Sequence, residues 1–284
     1  MTEEDVGPGS AWFVGEDPVA AIRDGSATAP ADWPRIAVES GAAGDRDDYY
    51  RRLKDATTAA AREAVRERER ADDRQLLHAV RAMDDADRTA NELAERLAEW
   101  GGSLFDESGS GVEYAREVAG RSPAGPAEDR VVSLARRVVD LAEEARDLES
   151  FIEGRAPVAA PNLSALAGPV LAARLVSLAG GLEPLAKKPS GTLQVLGAED
   201  ALFAHLRGHA PSPKHGVIYT HEYVRGTRPE DRGSAARALA GKLTIAARID
   251  HYSGDYRPDL EADLDERMRA IRERAAGDEG GPDA

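Results

Sequence analysis

The sequence predicts a mainly α protein: a small N-terminal α+β module, a central helical hairpin or coiled coil, and an all-helical C-terminal domain. Three observations carry this. Aromatic residues make up only 5% of the 284-residue chain, and Ala and Gly supply much of its apolar content, which suits closely packed helices better than an aromatic-rich sheet sandwich. A stripe of apolar residues at alternating steps of three and four runs through residues 128–153, the mark of one helix face. From residue 157 a small-residue, apolar stretch punctuated by Gly and Pro takes over.

Residues 1–44 are rich in Gly, Pro and Ala and poor in helical pattern. Short strands are expected at Ala11-Trp12-Phe13-Val14 and at Ile36-Ala37-Val38, giving a small and reduced α+β module; a partly ordered leader is the alternative. Residues 45–156 read as charged helices. Arg and Glu intermingle from Thr57 to Arg74, as on a solvated helix. From Leu76 a stripe sharpens through Val80, Met83, Ala90, Ala94 and Leu97, interrupted by the polar Asp87, and Gly101-Gly102 stops it. Residues 101–111 and 120–127 are turn material flanking about two helical turns at Val112–Ala119. The strongest local signal is the run Val131, Leu134, Val138, Leu141, Ala145, Leu148 and Ile152. Such a stripe needs a partner helix. In isolation, β-branched residues alternating with Leu suit a parallel dimer, whereas a fold-back hairpin against 76–97 covers the stripe within one chain. The hairpin is the preferred reading.

Pro157 and Pro161 are expected to break that helix. Beyond them, 157–257 forms the C-terminal domain. Leu163–Ala179 reads as one helix, Leu182–Ala186 as a short one, Ala198–Arg207 and Arg232–Tyr252 as two more, with Leu239, Leu243, Ala246, Ala247 and Ile249 facing inward. Residues 258–284 give a final helix and a tail expected to be disordered from Gly277 onward.

Charge separates this domain from the rest. The chain carries a formal net charge of −15, yet 157–257 is +4, the remainder is −19, and five of six histidines lie in that segment. A mildly basic domain in an acidic protein points to a polyanion. High Asp, Glu and Arg with only five Lys matches proteins adapted to high salt. There, charge attraction is screened within a few ångströms, so a binder depends on short-range hydrogen bonds, stacking and shape. The absence of Cys excludes disulfides and thiolate metal sites. No apolar run reaches membrane-spanning length and no leader opens the chain, so a cytoplasmic location without membrane association is expected.

Catalytic constellations are missing. His205 and His209 share the four-residue spacing of a zinc-protease pair, but Leu206, Arg207 and Gly208 between them supply no Glu. No phosphate loop or nucleophile elbow is present, so neither an enzyme activity nor a cofactor or metal is expected. The basic corners differ. Lys187-Lys188 and Lys214-His215 each lie beside a helix breaker, where side chains and free backbone N–H groups can hold phosphates. For both to grip one backbone they must converge on one surface.

Several motifs in this domain occur in a distinctive order: Pro161-Asn162-Leu163-Ser164-Ala165-Leu166, Gly168-Pro169-Val170-Leu171, Gly180-Gly181-Leu182, Gln194-Val195-Leu196-Gly197-Ala198-Glu199-Asp200-Ala201-Leu202-Phe203, Lys214-His215-Gly216-Val217-Ile218-Tyr219 and Ala236-Arg237-Ala238-Leu239. Together they resemble the Nop domain of the archaeal Nop5 (Nop56/58) family. The likeness covers about 157–257; Asn91–Trp100 resembles the family's pre-loop helix, and the first 44 residues match weakly. The resemblance implies a non-catalytic scaffold of the box C/D ribonucleoprotein, which directs 2′-O-methylation of RNA. It implies an N-terminal domain that holds fibrillarin and a coiled coil that pairs two copies through residues such as Val131, Leu134, Val138, Leu141, Leu148 and Ile152. It also implies a C-terminal domain that grips a kink-turn guide RNA together with the protein L7Ae. Gly197, Ala198 and Glu199 fall in the element that meets RNA and L7Ae. Lys187, Lys188, Gln194, Lys214 and His215 are the expected RNA contacts, with Arg232 and Arg237 next. Asp200 and Ser234 stand where the family usually carries Lys, and the link from Gly120 to Asp129 replaces a longer helical arm. A protein-only interaction module of the same fold and a metal-dependent RNA hydrolase at His205 or His209 are the alternatives.

Overall fold

A computed structural model describes residues 11–26 and 30–277. The tail beyond Gly277 therefore lies outside the described residues. Contacts divide the chain into two compact units, Met1–Ala71 and Asp72–Ala284.

The first unit contains α1 (Pro18–Asp24), α2 (Trp33–Glu39) and α3 (Arg46–Arg70). Neither expected strand forms. Residues 11–14 make a turn closed by Val14 N–H donating to the Ala11 carbonyl at 3.0 Å. Ile36-Ala37-Val38 lies inside α2. A three-residue strand with no neighbouring strand leaves its backbone groups unpaired, whereas a helix satisfies them internally. Local chemistry favours helix starts here: the Asp17 carboxylate accepts from the N–H groups of Val19 and Ala20, and both α1 and α2 carry Pro in their first turn. Trp12, Phe13 and Trp33 pack with buried Tyr49, and the Trp12 indole N–H donates to the Tyr49 hydroxyl at 3.3 Å. Arg23 makes a two-pronged bond to Glu67 at 2.8 and 2.5 Å, tying α1 to α3.

The second unit begins with α4 (Asp72–Gly101), α5 (Gly111–Ala119) and α6 (Pro126–Ala159). Here α4 and α6 form the antiparallel hairpin. Leu76, Val80 and Met83 cluster with Ile152 and Ala156 at one end. Ala94 and Leu97 cluster with Val131, Val132, Ala135 and Val138 at the other, where Tyr114, Ala115 and Val118 of α5 seal the tip. The stripe that asked for a partner is thus covered within one chain. Asp87 is exposed and Ala86 is buried in its place, so the apolar face shifts by one residue. Leu134, Leu141 and Leu148 are half-buried at the edge.

Two prolines behave differently from expectation. α6 passes through Pro157 and ends at Ala159. The missing N–H falls in the last turn, where the lost bond is one of few, and Ala160 N–H closes that turn on the Ala156 carbonyl at 2.8 Å. By contrast, the single helix expected over 163–179 is two helices. α7 (Pro161–Ala167) and α8 (Pro169–Ala179) meet at a bend of 117°. Pro169 disfavours helical backbone at the residue before it, and Gly168 adopts φ +77°, a conformation open to Gly.

The remaining elements are α9 (Leu182–Lys187), α10 (Ser190–Gln194), α11 (Glu199–Leu206), a 3-10 turn (Val217–Thr220), α12 (Glu222–Arg225), α13 (Arg232–Tyr252) and α14 (Asp259–Gly277). α13 is the axis: Ala235, Ala236, Leu239, Ala240, Leu243, Ala246 and Ala247 are buried in one core. Leu260, Leu264, Met268 and Ile271 of α14 join that core, so the packing continues past residue 257. Small residues let the helices approach closely, which explains how a chain poor in aromatics still fills its interior. Polar locks fix the arrangement. The buried Asp250 carboxylate accepts from the backbone N–H groups of Asn162 (3.0 Å) and Leu163 (2.8 Å) and from the Asn162 amide (2.6 Å). Asn162 also accepts from the Arg257 N–H at 2.7 Å. Asp73 on the coil accepts from the Leu182 N–H at 2.9 Å, and Arg174 on α8 forks onto Asp84 of α4 at 2.8 and 2.7 Å. Among the described residues no single helix is long and apolar enough to cross a membrane.

Candidate nucleic-acid interface

One corner of the C-terminal domain gathers most of the expected contacts. The chain after α10 runs beside the segment that enters the 3-10 turn. Gly216 N–H donates to the Gln194 carbonyl and Val217 N–H to the Leu196 carbonyl, both at 2.8 Å. The Gln194 side-chain amide donates to the Lys214 carbonyl at 2.7 Å. Gln194 is therefore a clamp on the Lys214 backbone. Gly216 is required by crowding: a Cβ there would lie 2.0 Å from the Leu196 carbonyl oxygen. Gly197 has φ +83°, and its N–H donates to the Glu199 carboxylate at 2.9 Å, so Glu199 holds the start of α11.

These bonds present a set of cationic and aromatic groups. Lys214 is exposed and forms no ion pair among the described residues. The His215 ring stacks on Tyr219 with centroids 4.6 Å apart and planes at 22°. The Arg232 guanidinium lies 5.5 Å from the Tyr219 ring centroid, and its Nε–H donates to the Thr227 carbonyl at 3.1 Å. Burial, followed by the Arg232 and Lys214 charges, pushes the His215 imidazole below its ordinary value. The free ring is therefore neutral at neutral pH, and a phosphate brought near it favours protonation.

The two lysine corners do not converge. Lys187 ends α9 and is bonded to Glu183 at 2.6 Å, which raises its ammonium above the ordinary value. This end of α9 sits where Arg248 donates to the Ala186 carbonyl at 3.1 Å and Tyr252 lies near Lys187, at the C-terminal end of α13. Lys214 instead approaches Gly233, whose Cβ would sit 3.9 Å from its side chain, at the N-terminal end. Fifteen residues of α13 separate Gly233 from Arg248, about 22 Å at helical rise. Lys188 caps α9 half-buried. Arg237 is exposed beside Ser234 in a separate open groove between α13 and α14.

The helix expected over Ala198–Arg207 forms as α11, but the sequence reading missed the apolar surface it exposes. α11 buries none of its side chains. Phe203 is 56% and Leu206 70% exposed. The helix is anchored at its end by His209 N–H donating to the Ala204 carbonyl at 2.9 Å, with His205 Nδ1 3.0 Å from the Ala210 carbonyl. Glu199 and Asp200 occupy its first turn. Exposed apolar side chains rimmed by charge mark a partner surface. The signal was present: Leu202, Phe203 and Leu206 make an apolar face with no complementary stripe nearby in sequence.

His221 supports this corner from beneath. Its Nδ1 accepts from the Tyr223 N–H at 3.1 Å, so Nε2 carries the proton and donates to the Leu166 carbonyl at 3.0 Å. Burial pushes this imidazole below its ordinary value, partly offset by the Leu166 carbonyl and Glu222. The unfolded chain binds the proton more readily, so the stabilisation is present above the ordinary imidazole pKa and is lost as pH falls below it. His221→Leu should therefore destabilise the protein at pH 7.5, and the gap from wild type should narrow between pH 7 and pH 5. Thermal melts across that range check it; a constant gap contradicts it.

Comparison with known proteins gives matches of three kinds: a family model, sequence relatives and a solved structure. Residues 114–270 match the Nop family model, described as "snoRNA binding domain, fibrillarin". An uncharacterised NOP5 family protein of Methanocaldococcus jannaschii is 36% identical over 278 residues, covering 84% of this chain and 67% of that protein. Nucleolar protein 58 of Schizosaccharomyces pombe is 32% identical over 246 residues, covering 74% of this chain and 48% of that protein. The chain thus spans about half the length of that relative. Among solved structures, the crystal structure of a fibrillarin/Nop5p complex aligns with TM-score 0.55 and 25% identity, covering 92% of this chain and 98% of the matched one.

Proposed function

Because the chain belongs to the Nop5 family of Nop-domain proteins, we propose that it is a scaffold of a box C/D ribonucleoprotein, binding a kink-turn guide RNA together with L7Ae and positioning fibrillarin for 2′-O-methylation. The methyl transfer belongs to fibrillarin; this chain brings no catalytic group of its own. The observation that carries the reading is the pairing of two unlike surfaces. The Lys214–His215–Arg232 corner offers cations, a stacked ring pair and backbone groups, suited to a nucleic-acid backbone. α11 beside it offers Phe203 and Leu206, suited to a protein. A complex of RNA with a small protein would meet both. The first unit, with its aromatic cluster around Tyr49, is the proposed seat of fibrillarin.

Electrophoretic shift of a kink-turn RNA with and without L7Ae tests this, at low and at multimolar salt. The reading expects a further shift when the protein is added to the RNA–L7Ae complex. Lys214→Ala should weaken that binding and lower the slope of affinity against salt by about one unit, as for one lost phosphate contact. Lys187→Ala should leave both unchanged, since its ammonium is engaged with Glu183 at the far end of α13. An equal effect of the two variants contradicts the proposed location of the RNA.

A protein-only module is the second reading, favoured by the acidic first turn of α11. Glu199 and Asp200 occupy that turn, and Asp200 stands where the family usually carries Lys. RNA-independent capture of L7Ae, with no RNA shift at any salt, would support it.

Dimerisation through the coil is proposed only through its edge. Val131, Val138 and Ile152 are buried in the hairpin of one chain. Leu134, Leu141 and Leu148 remain half-buried and could meet a second copy.

A further inference from the structure

A cleft of about 700 Å³ separates the coil from the Lys214 corner. α4 forms one wall through Val80, Arg81 and Asp84. Leu178 of α8 and His215, Gly216, Val217, Tyr219 and Thr220 face it, with Gly197 and Ala198 at the margin. Leu178 is 47% exposed despite lying in an otherwise apolar helix. The cleft therefore joins an apolar and aromatic surface to a cationic one.

Arg81 is the informative residue. On a solvated coil it would pair with Asp84 or Asp85, three and four residues on. Both are taken. Asp84 accepts the two-pronged bond from Arg174 of α8, and Asp85 accepts from Arg88. Further along the helix, Arg96 is paired with Glu99. Arg81 is exposed on the cleft wall and forms no ion pair among the described residues. A free guanidinium thus faces an apolar surface beside the stacked His215 and Tyr219 rings.

We infer that this cleft accepts one unstacked nucleotide of the bound RNA, with its base against the Leu178, Val217 and Tyr219 surface and its phosphate on Arg81. The inference rests on the RNA reading above and extends the contact beyond the domain onto the coil. Single-stranded nucleotides are held in this way, by a π or apolar face for the base and a cation for the backbone. Its volume lies within the range of small-ligand sites, roughly 300–1,000 Å³.

The test uses the full chain with a kink-turn RNA carrying 4-thiouridine at its unpaired positions. Binding is measured over a range of salt, and photo-crosslinks are mapped by mass spectrometry. Arg81→Ala should weaken RNA binding about fivefold to tenfold and reduce the salt slope by about 0.7 unit. Arg81→Lys should keep the slope. Crosslinks should fall on peptides containing Leu178 or Tyr219. If the wild-type protein binds no RNA, the RNA reading itself fails. If it binds, and Lys214→Ala weakens binding while Arg81→Ala does not, the cleft assignment alone is overturned. Crosslinks confined to other peptides overturn it too. So does binding of free adenosine or uridine monophosphate that is lost in Arg81→Ala while RNA binding is unchanged, since that assigns the cleft to a free nucleotide.

Discussion

Gly216→Ala is expected to reduce RNA affinity by about tenfold to a hundredfold, together with a fall in melting temperature that leaves the protein folded at the temperature of the binding assay. The added Cβ would lie 2.0 Å from the Leu196 carbonyl oxygen and 2.6 Å from the Val195 carbonyl carbon. Both are backbone atoms, so the two segments must separate. Separation breaks the Gly216–Gln194 and Val217–Leu196 bonds and removes the Gln194 clamp on the Lys214 carbonyl. Lys214, His215 and the start of α11 then lose their shared position. Leu193, Leu196 and Ile218 of these same segments are buried in the domain core, so stability falls as well, while α7, α8, α13 and α14 keep the rest of the core packed. Gel shift with a circular-dichroism melt of the same preparation checks this. Unchanged affinity would mean that the geometry of this corner does not matter to binding.

Asp250→Ala should be the most damaging single change to stability. It removes the acceptor for two backbone N–H groups in the first turn of α7 and for the Asn162 side chain. Asn162 is 1% exposed, so water cannot replace the lost partner without disrupting the core. Each buried donor left unpaired costs about 1–3 kcal/mol, giving a loss of about 3 kcal/mol or more. For a chain of this size that lowers the melting temperature by about 6–12 °C. Asp250→Asn keeps one acceptor oxygen and should lose less. A melt within about 2 °C of wild type for Asp250→Ala contradicts this account of how α7 is locked to α13.

Much of the fold was legible because it is written in periodicity. The stripe from Val131 to Ile152 marks a helix face, and the matching stripe from Leu76 to Leu97 supplies its cover. The Asp87 interruption mattered little, because neighbouring Ala86 could turn inward at small cost. Isolated short segments were not legible in the same way. Ile36-Ala37-Val38 has strand-forming residues, but no second strand was available, and the backbone found its partners in α2. Pro157 and Pro169 are the same residue type with opposite outcomes. Only position within the turn, and the Gly before Pro169, separates them. At the site, residue types were readable while convergence was not. Glu183 stands four residues before Lys187, a spacing that already pairs the two on a helix. The distance between the lysine corners depends on α13, which sets them at its opposite ends. Arg81 could be recognised as free only once Arg174, ninety-three residues away in sequence, was seen to hold Asp84.

Hydrogen exchange of the full chain, alone and with a kink-turn RNA–L7Ae complex, tests the central claim most directly. The expected result is slowed exchange across residues 194–206 and 214–220, with little change at 184–190 near Lys187. Slowing confined to 184–190, or absent from 194–220 when the complex demonstrably forms, would contradict it.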